Sequence, residues 1–253
     1  MTDAGALLDV AVEAARAAGA ILVERFPDRP VGVATKSSPT DLVSEADLAA
    51  ERAIRDVLAR RRPDDAILGE EGDDVAGTSG LRWVVDPLDG TVNFLFGLPQ
   101  WCVSVACEGH AAAILDPTRD ELFTVRAGYA ACLDGRPVRG SDRTELATAL
   151  VATGFGYDAG VRARQAAVVA RLLPRVRDIR RTGSAALDLA YAAAGRHDAY
   201  YERGIHAWDT AAGAMLCAAA GLVVRELAPA GGLAAGVLTA PPAIADELQA
   251  LIG

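Results

Sequence analysis

The chain has 253 residues, of which 51% are hydrophobic, and its formal net charge at pH 7 is -9. This length accommodates one large domain or two closely packed halves, with a core large enough to hold a demanding site. Nucleic acids and anionic membrane surfaces attract basic patches, so the acidic balance predicts that neither is a partner.

The N-terminal segment predicts a helix rather than a targeting sequence. Apolar residues recur at helical spacing from Leu7 to Leu22, and this helix should end before Pro27. The segment lacks the basic start and the cleavage site of a signal peptide. The four cysteines show no CxxC spacing and no histidine cluster, so neither a disulfide framework nor a zinc site is predicted. We therefore expect a cytoplasmic protein with no membrane span.

A second helix is predicted from Glu45 to Arg61, after a strand-like run and a loop within residues 31–40. Ser44 resembles an N-cap for this helix. Asp47 therefore falls in the first helical turn, where the helix dipole favours an acidic side chain.

The rest of the chain divides into two patterns. Short segments rich in branched residues predict a sheet within residues 66–128, and Asp134-Gly135 is a plausible hairpin turn. Beyond about residue 140, strands and helices alternate. We therefore expect an N-terminal α+β half, residues 1–140, and a C-terminal α/β half, residues 141–253.

Acidic residues stand at the ends of three separate apolar segments. They are Glu70 and Glu71, Asp86 and Asp89, and Asp209. If the fold gathers these ends, two carboxylates about 4 Å apart repel by about 4 kcal/mol at an effective dielectric constant of about 20, so cations are required. An all-oxygen ligand set selects hard ions, of which Mg²⁺ tolerates few protein ligands. Several acids together indicate two or more ions.

Other interpretations of DPLDGT at 86–91 differ in the spacing that they require. Two acids beside Pro and Gly are also common in ordinary turns. An EF-hand loop needs an acid at its twelfth position, which is Gly97 counted from Asp86 and Gln100 counted from Asp89, so that interpretation fails. The DxDGT strand end of haloacid-dehalogenase phosphatases has acids two residues apart on one side of an extended chain. The interval of three here disfavours it.

Three segments follow one another along the chain: GEE at 69–71, DPLDGTVNF at 86–94 and GIHAWDTAAG at 204–213, preceded by DLVSEAD at 41–47. In order and spacing they resemble the inositol monophosphatase family of Mg²⁺-dependent, lithium-sensitive phosphatases. The resemblance implies an α/β fold, a layered α-β-α-β-α sandwich of the sugar-phosphatase type, with the site between the two halves. It also implies a homodimer.

The resemblance implies two or three Mg²⁺ ions. Glu70, Asp86 and the Leu88 carbonyl would bind the first ion, and Asp86, Asp89 and Asp209 would bind the second. Glu70 would also face a weaker third ion. Asp86 is therefore the acid implied to bridge two ions.

Catalytic roles are implied for Asp47, Thr91 and Glu70. A metal-activated water, oriented by a Thr91 hydroxyl that is paired to Asp47, would attack a phosphate monoester in line, without a phosphoenzyme. Gly90 and Thr91 would open a short helix whose amides hold the phosphate. From the residues alone, Asp47 is also explained as an acid that the helix dipole favours.

Substrate contacts are implied for Asp89, for Glu202 and for the small-residue turn Gly183-Ser184-Ala185. A carboxylate such as Glu202 is a suitable acceptor for the hydroxyl groups of a polyol. The turn is equally explained as the start of a packing helix, with Ser184 near its first residue.

Three further features lie outside the implied ligand set. The three histidines share no spacing pattern, and His206, beside the third motif, is predicted to be structural. Lys36 is either a side chain that approaches the metal region or an exposed lysine. Where family members often carry Glu-Ala-Gly-Gly, this chain has Ala219-Ala220-Gly221-Leu222, which should alter packing near the second sheet.

The expected activity is hydrolysis of myo-inositol monophosphate to inositol and phosphate. Histidinol phosphate, fructose 1,6-bisphosphate and 3'-phosphoadenosine 5'-phosphate remain alternatives, because related folds hydrolyse them. A further alternative is a catalytically silent protein that binds metal and acts as a regulatory module. Such a protein should have lost part of the implied machinery, yet five residues that carry it are all present: Glu70, Asp86, Asp89, Thr91 and Asp209.

Overall fold

A computed structural model describes residues 3–26, 33–35 and 42–253, and for residues 33–35 and 42–44 it describes the backbone alone. Lys36 and the predicted loop at 37–40 lie outside the described residues. So does the side chain of Ser44, the predicted N-cap.

Two helices precede the main sheet, and the end of the first and both bounds of the second are those that the sequence predicts. Helix α1, Ala4–Arg25, begins where the Asp3 carboxylate accepts the Gly5 N–H at 2.9 Å. It ends before Pro27. Helix α2 spans Glu45–Arg61 and packs against α1. Short strands β1, Val33–Thr35, and β2, Leu42–Ser44, pair antiparallel between the two helices.

Seven strands of the described chain form the first sheet, in sequence order. They are β3 Ala66–Gly69, β4 Arg82–Asp89, β5 Cys102–Cys107, β6 Ala111–Asp116, β7 Glu121–Arg126, β8 Cys132–Leu133 and β9 Arg136–Pro137. Strands β3 and β4 are parallel, and each later neighbour is antiparallel. Asp134 and Gly135 have positive φ angles of 49° and 73° between β8 and β9, so the predicted hairpin turn is confirmed.

Five strands form the second sheet within the described chain, in the order β11-β10-β12-β14-β13. They are β10 Leu150–Thr153, β11 Asp178–Arg180, β12 Ala199–Arg203, β13 Val223–Leu227 and β14 Gly236–Ala240. Strands β10, β11 and β12 run parallel. The helices are α3 Thr91–Leu95, α4 Ala159–Leu172, α5 Ala185–Ala193, α6 Ala207–Ala219 and α7 Pro242–Ile252.

Side chains from the two sheets pack against helices in three buried hydrophobic clusters. Two sheets and three helix layers therefore make five layers in all. Helices α1 and α2 cover one face of the first sheet, around Trp83 and Val105. Helices α5 and α6 lie between the two sheets, against Ala106 and Tyr200. Helices α4 and α7 cover the outer face of the second sheet, around Leu238. The predicted α-β-α-β-α sandwich is confirmed. The division at residue 140 stays a prediction, since the middle cluster contains side chains from both sides of it.

Leu222, which stands where the resemblance expects a glycine, is buried against Gly140 in the middle cluster. A Cβ atom on Gly140 would lie 2.5 Å from the Leu222 side chain. The Gly140 N–H also donates to the Ala220 carbonyl at 3.0 Å. The departure is therefore accommodated by close packing. Among the described helices, none combines the length and apolarity that crossing a membrane requires.

Candidate active site

A β-bulge at the end of β4 brings Asp86 and Asp89 to the same side of the strand. Asp86 pairs with Ser104 and Asp89 with Cys102, so three steps along β4 face two along β5. The extra residue reverses the usual alternation of side chains. Pro87 has no N–H to donate to the ladder and is tolerated at such a position. An interval of three residues, which would separate two acids on a regular strand, therefore makes them converge.

Asp209 joins these two acids from the first turn of α6. One carboxylate oxygen from each of Asp86, Asp89 and Asp209 lies within 4.8 Å of the other two. The His206 N–H donates to the Asp209 carboxylate at 2.5 Å, and the Leu88 N–H donates to Asp86 Oδ1 at 3.0 Å. Backbone N–H groups therefore hold the carboxylates of Asp209 and Asp86 in place.

The N-terminus of helix α5, which lies between the two sheets, holds Asp89 in place. The Ser184 hydroxyl and the Ala186 N–H each donate to Asp89 Oδ2 at 2.6 Å. Ser184 is also the N-cap of α5, because its Oγ accepts the Leu187 N–H at 3.3 Å. The turn is therefore the start of a packed helix, and the contact with substrate that the resemblance implies for it stays a prediction.

Glu70 reaches the site from the turn that follows β3, and α2 supports that turn. Glu51 of α2 accepts the Glu71 N–H at 2.7 Å. The Glu51 side chain approaches the backbone of this turn closely, because a Cβ atom on Gly69 or Gly72 would lie 2.6 Å from Glu51 Oε1. Sequence reasoning missed Glu51, although the paired glycines around the two acids were a signal of a tight approach. Glu70 lines the cavity, whereas Glu71 is not among its lining residues.

Thr91 and Asp47 come together at the start of α3. Thr91 Oγ1 lies 3.4 Å from Asp47 Oδ2 and 3.1 Å from the Leu88 carbonyl oxygen. Asp47 is fully buried in the first turn of α2. Gly90 precedes α3 with a φ of +100°, and a Cβ atom there would lie 2.8 Å from the Gln100 carbonyl oxygen. Only glycine fits that position.

Burial and mutual repulsion make the carboxylate cluster costly to ionise. Burial raises the pKa of Asp86 well above its ordinary value, and repulsion from Glu70, Asp89 and Asp209 raises it further. Burial raises the pKa of Asp89 to about 6, opposed by the hydrogen bonds from Ser184 and the following amides. The pKa of Asp209 is also raised well above its ordinary value, by burial and then by Asp89. This donor set is all oxygen and fits hard divalent cations such as Mg²⁺.

The carboxylates form one wall of a cavity of about 370 Å³ between the two sheets. Glu202, from the end of β12, lines the cavity, and its Oε2 accepts the Tyr200 hydroxyl at 2.7 Å. Burial raises the pKa of Glu202 to about 7, while the Tyr200 hydrogen bond opposes that rise. A Cβ atom on Gly154 would lie 1.9 Å from the Glu202 carboxylate, so glycine is required there. Gly183, Ser184 and Ala185 line the same cavity.

Sequence reasoning missed several other residues of this site. Asn93 of α3 donates to the Gln100 and Thr182 carbonyls, at 2.7 and 2.9 Å, and so ties α3 to the turn before α5. Arg181 and Asp188 also line the cavity. Their sequence neighbourhoods are those of an ordinary strand and helix, and no signal identified them. His206 lines the cavity and stacks on Trp208, with ring centroids 4.7 Å apart.

The whole chain, apart from its first and last few residues, matches a known family. Residues 3–251 match the model of the inositol monophosphatase family. A Mycobacterium tuberculosis protein named inositol-1-monophosphatase SuhB is 46% identical over 244 residues, which cover 91% of this chain and 84% of that protein. An Escherichia coli protein named Nus factor SuhB is 40% identical over 230 residues, covering 87% of this chain and 85% of that protein.

Solved structures agree with this match. The extragenic suppressor protein SuhB from Bartonella henselae superposes with a TM-score of 0.89 at 36% identity, covering 98% of each chain. An inositol monophosphatase from Anabaena gives a TM-score of 0.86 at 35% identity, covering 99% of this chain and 96% of that one. The protein therefore belongs to the inositol monophosphatase family and has that family's layered fold.

Proposed function

We propose that this protein is a Mg²⁺-dependent phosphate monoester hydrolase that converts inositol monophosphate and water to inositol and phosphate. The observation that carries the proposal is the convergence of Asp86, Asp89 and Asp209 within 4.8 Å at the wall of a 370 Å³ cavity. The names of the mycobacterial relative and the Anabaena structure support the choice of substrate.

The metal ligands in this proposal come from three elements. Glu70, Asp86 and the Leu88 carbonyl would hold one Mg²⁺ ion, and Asp86, Asp89 and Asp209 would hold a second, with Glu70 also facing a weaker third. When bound, such ions polarise a phosphate ester, stabilise the departing oxygen and lower the pKa of water. The raised pKa values of the three aspartates support this set, because bound cations would relieve the repulsion that raises them.

Thr91 and its neighbours would orient the attacking water molecule. The Thr91 hydroxyl has one hydrogen, which it donates to the Asp47 carboxylate or to the Leu88 carbonyl. Its oxygen lone pairs are then available to accept a hydrogen from a water molecule in the cavity. Gly90 and Thr91 would contact the phosphate through their backbone amides at the start of α3.

The opposite wall of the cavity would bind the leaving group. Glu202 would accept hydrogen bonds from the hydroxyls of the polyol, and its carboxylate is held in place by Tyr200. Asp89 and the turn Gly183-Ser184-Ala185 would complete the wall. Since the turn carries small side chains only, the ring of a cyclitol would fit against it without steric conflict.

Three further properties form part of the proposal. We expect a homodimer, inhibition by Li⁺ and a cytoplasmic location. Light scattering of the purified protein tests the first, a Li⁺ titration of phosphate release tests the second, and cell fractionation tests the third.

A panel of phosphate monoesters tests the proposed activity. Phosphate release should require Mg²⁺, should stop with EDTA and should be fastest with inositol monophosphate. A preference for histidinol phosphate, fructose 1,6-bisphosphate or 3'-phosphoadenosine 5'-phosphate would overturn the substrate. Metal binding without turnover on any ester would favour a silent regulatory module.

A further inference from the structure

A second cavity lies at the other end of the strands that build the active site. Its volume is about 660 Å³, and Leu150, Asp178 and Asp198, at the beginnings of β10, β11 and β12, contribute to its lining. The carboxyl ends of the same parallel strands lead into the active-site cavity, where Thr153 and Glu202 line the wall. The two cavities therefore lie toward opposite ends of β10 and β12, and they come close at β11, where Arg180 lines the second cavity and Arg181 the first.

The second cavity carries a charge opposite to that of the chain as a whole. Four arginines line it, Arg143, Arg177, Arg180 and Arg196, against Asp178 and Asp198. Glu121 pairs with Arg196, so four positive and three negative groups leave a net formal charge of +1, which corresponds to Arg177. The chain has a formal net charge of -9. A group of guanidinium groups with a net positive charge attracts anions.

Several of these guanidinium groups retain unused hydrogen-bond donors. No hydrogen bond or ion pair joins the Arg177 guanidinium to any described residue. Arg180 contacts other described residues through Nη1, which pairs with the Asp178 carboxylate at 2.7 Å and donates to the Ile179 carbonyl. Arg143 uses Nε alone, with Asp198 at 3.3 Å. Since each guanidinium has five N–H donors, most of the donors on these three arginines are available to a ligand.

The remaining polar groups form a rigid frame around these donors. The Asp198 carboxylate accepts the Leu150 N–H at 2.7 Å and the Ser141 hydroxyl at 2.5 Å, so it anchors the cavity floor. Each Nη atom of Arg196 donates a hydrogen bond of 2.6 Å to the Glu121 carboxylate. The Cζ atom of Arg196 lies 4.8 Å from the centroid of the Tyr191 ring. Arg196 therefore contributes charge and a fixed wall rather than new hydrogen bonds.

We propose that this cavity binds a linear polyphosphate chain, either inorganic or as part of a nucleotide. Guanidinium forks match the oxygens of phosphate groups in geometry and charge. The volume is far larger than one phosphate ion needs and lies within the range of about 300 to 1,000 Å³ that is typical of ligand pockets. No aromatic ring is among the lining residues, so a base would gain no stacking there.

Calorimetric titration of the metal-free protein tests this proposal. EDTA and low salt are used, because the empty carboxylate cluster repels polyanions from the active site under those conditions. Tripolyphosphate should bind, and its Kd should weaken as NaCl is raised. ATP binding as tightly as tripolyphosphate would identify the phosphate chain as the recognised part, and ATP binding at least tenfold more tightly would identify a nucleotide source. Adenosine should not bind, and its binding would overturn the proposal.

Matched arginine variants locate the binding. Arg177→Gln should weaken tripolyphosphate binding at least tenfold, and Arg177→Glu should abolish it. Arg175→Gln is the control, because Arg175 is an exposed arginine nearby that pairs with Glu247 at 3.2 Å and does not line the cavity. The control should change the Kd less than twofold. No heat with tripolyphosphate at millimolar concentration, or equal losses in Arg175→Gln and Arg177→Gln, would contradict the proposal.

Discussion

Thr91 has a single hydroxyl hydrogen and two acceptors for it, the Asp47 carboxylate and the Leu88 carbonyl. Whichever of them accepts the hydrogen, the lone pairs of the Thr91 oxygen stay available to accept a hydrogen bond from water, and Thr91 lines the cavity. This arrangement suits a residue that orients a water molecule rather than one that binds a metal ion.

Thr91→Ala should therefore lower kcat by about a hundredfold, the lower end of the range for groups that handle a reacting proton. The Mg²⁺ concentration for half-maximal activity should change little. Thr91→Ser keeps the hydroxyl and should retain most of the turnover. Loss of Mg²⁺ affinity in Thr91→Ala, measured by calorimetry, would show that Thr91 supports the metal site instead.

Glu202 is the residue proposed to accept hydrogen bonds from the hydroxyls of the leaving group. Glu202→Gln removes a charged acceptor while keeping the shape of the side chain. We expect the KM for inositol monophosphate to rise about tenfold, since a hydrogen bond to a charged group contributes about 1.5 to 3 kcal/mol. The matched substrate is phenyl phosphate, which has no hydroxyls on its leaving group and should show an unchanged KM. Equal effects on both substrates would contradict a role in recognising hydroxyls.

At the scale of elements, α2 acts as a support for the turn after β3. Glu51 accepts the Glu71 N–H and also pairs with Arg55 at 2.7 Å. In Glu51→Gln an amide replaces the carboxylate, and its NH₂ group would face either a backbone N–H or a guanidinium, both donors. The turn that carries Glu70 would be held less firmly.

Glu51→Gln should weaken Mg²⁺ activation by about tenfold, as is typical when a residue that supports a metal ligand is changed. Saturating Mg²⁺ should restore most of kcat. The control is Asp56→Asn, an exposed acid on the same helix, which should behave like the unchanged protein. A loss of kcat that saturating Mg²⁺ does not restore would contradict a purely positioning role.

The elements also show what the sequence could predict. The end of helix α1 and both bounds of α2 could be predicted because apolar spacing and end signals are strong there. Strand β11, three residues at a sheet edge, carries no periodic pattern and was not predicted. The bulge at Pro87 was not predicted either, because the register between β4 and β5 depends on residues that are distant along the chain.

At the scale of the molecule, the carboxylate site sits between two sheets, and metal binding there would be coupled to stability. The proposed ligands come from β4, α6 and the turn after β3, so several elements must be in place at once. The layered fold could be predicted because three separated motifs agree in order. Contacts such as the bond between Ser184 and Asp89 join distant parts of the chain, and spacing alone does not reveal them.

The pKa shifts determine how stability depends on pH. The pKa of Asp89 is about 6 and that of Glu202 about 7 in the folded protein. Both lie above the ordinary values for free carboxyls, of about 4. From a pH of about 4 to a pH of about 7, the folded state binds more protons than the unfolded state. The free energy of unfolding therefore falls as pH rises through this range.

In EDTA the Tm should therefore fall as the pH is raised from about 5 to about 8. Mg²⁺ binds the ionised carboxylates, so the rise in Tm that it produces should be larger at the upper end of this range. Thermal unfolding with EDTA and with Mg²⁺ across the range measures both effects. A Tm in EDTA that increases with pH would contradict the raised pKa values.

The most direct test of the central claim is Mg²⁺-dependent phosphate release from inositol monophosphate by Asp86→Asn, with Asp56→Asn as the exposed control. Asp86 is the residue proposed to hold two ions, so its loss should lower kcat/KM by at least about a hundredfold, beyond the effect of changing a supporting residue. Its fold should be retained, because the substitution removes a buried carboxyl whose ionisation four neighbouring acids oppose. Phosphate release by Asp86→Asn at a rate close to that of Asp56→Asn would contradict the account.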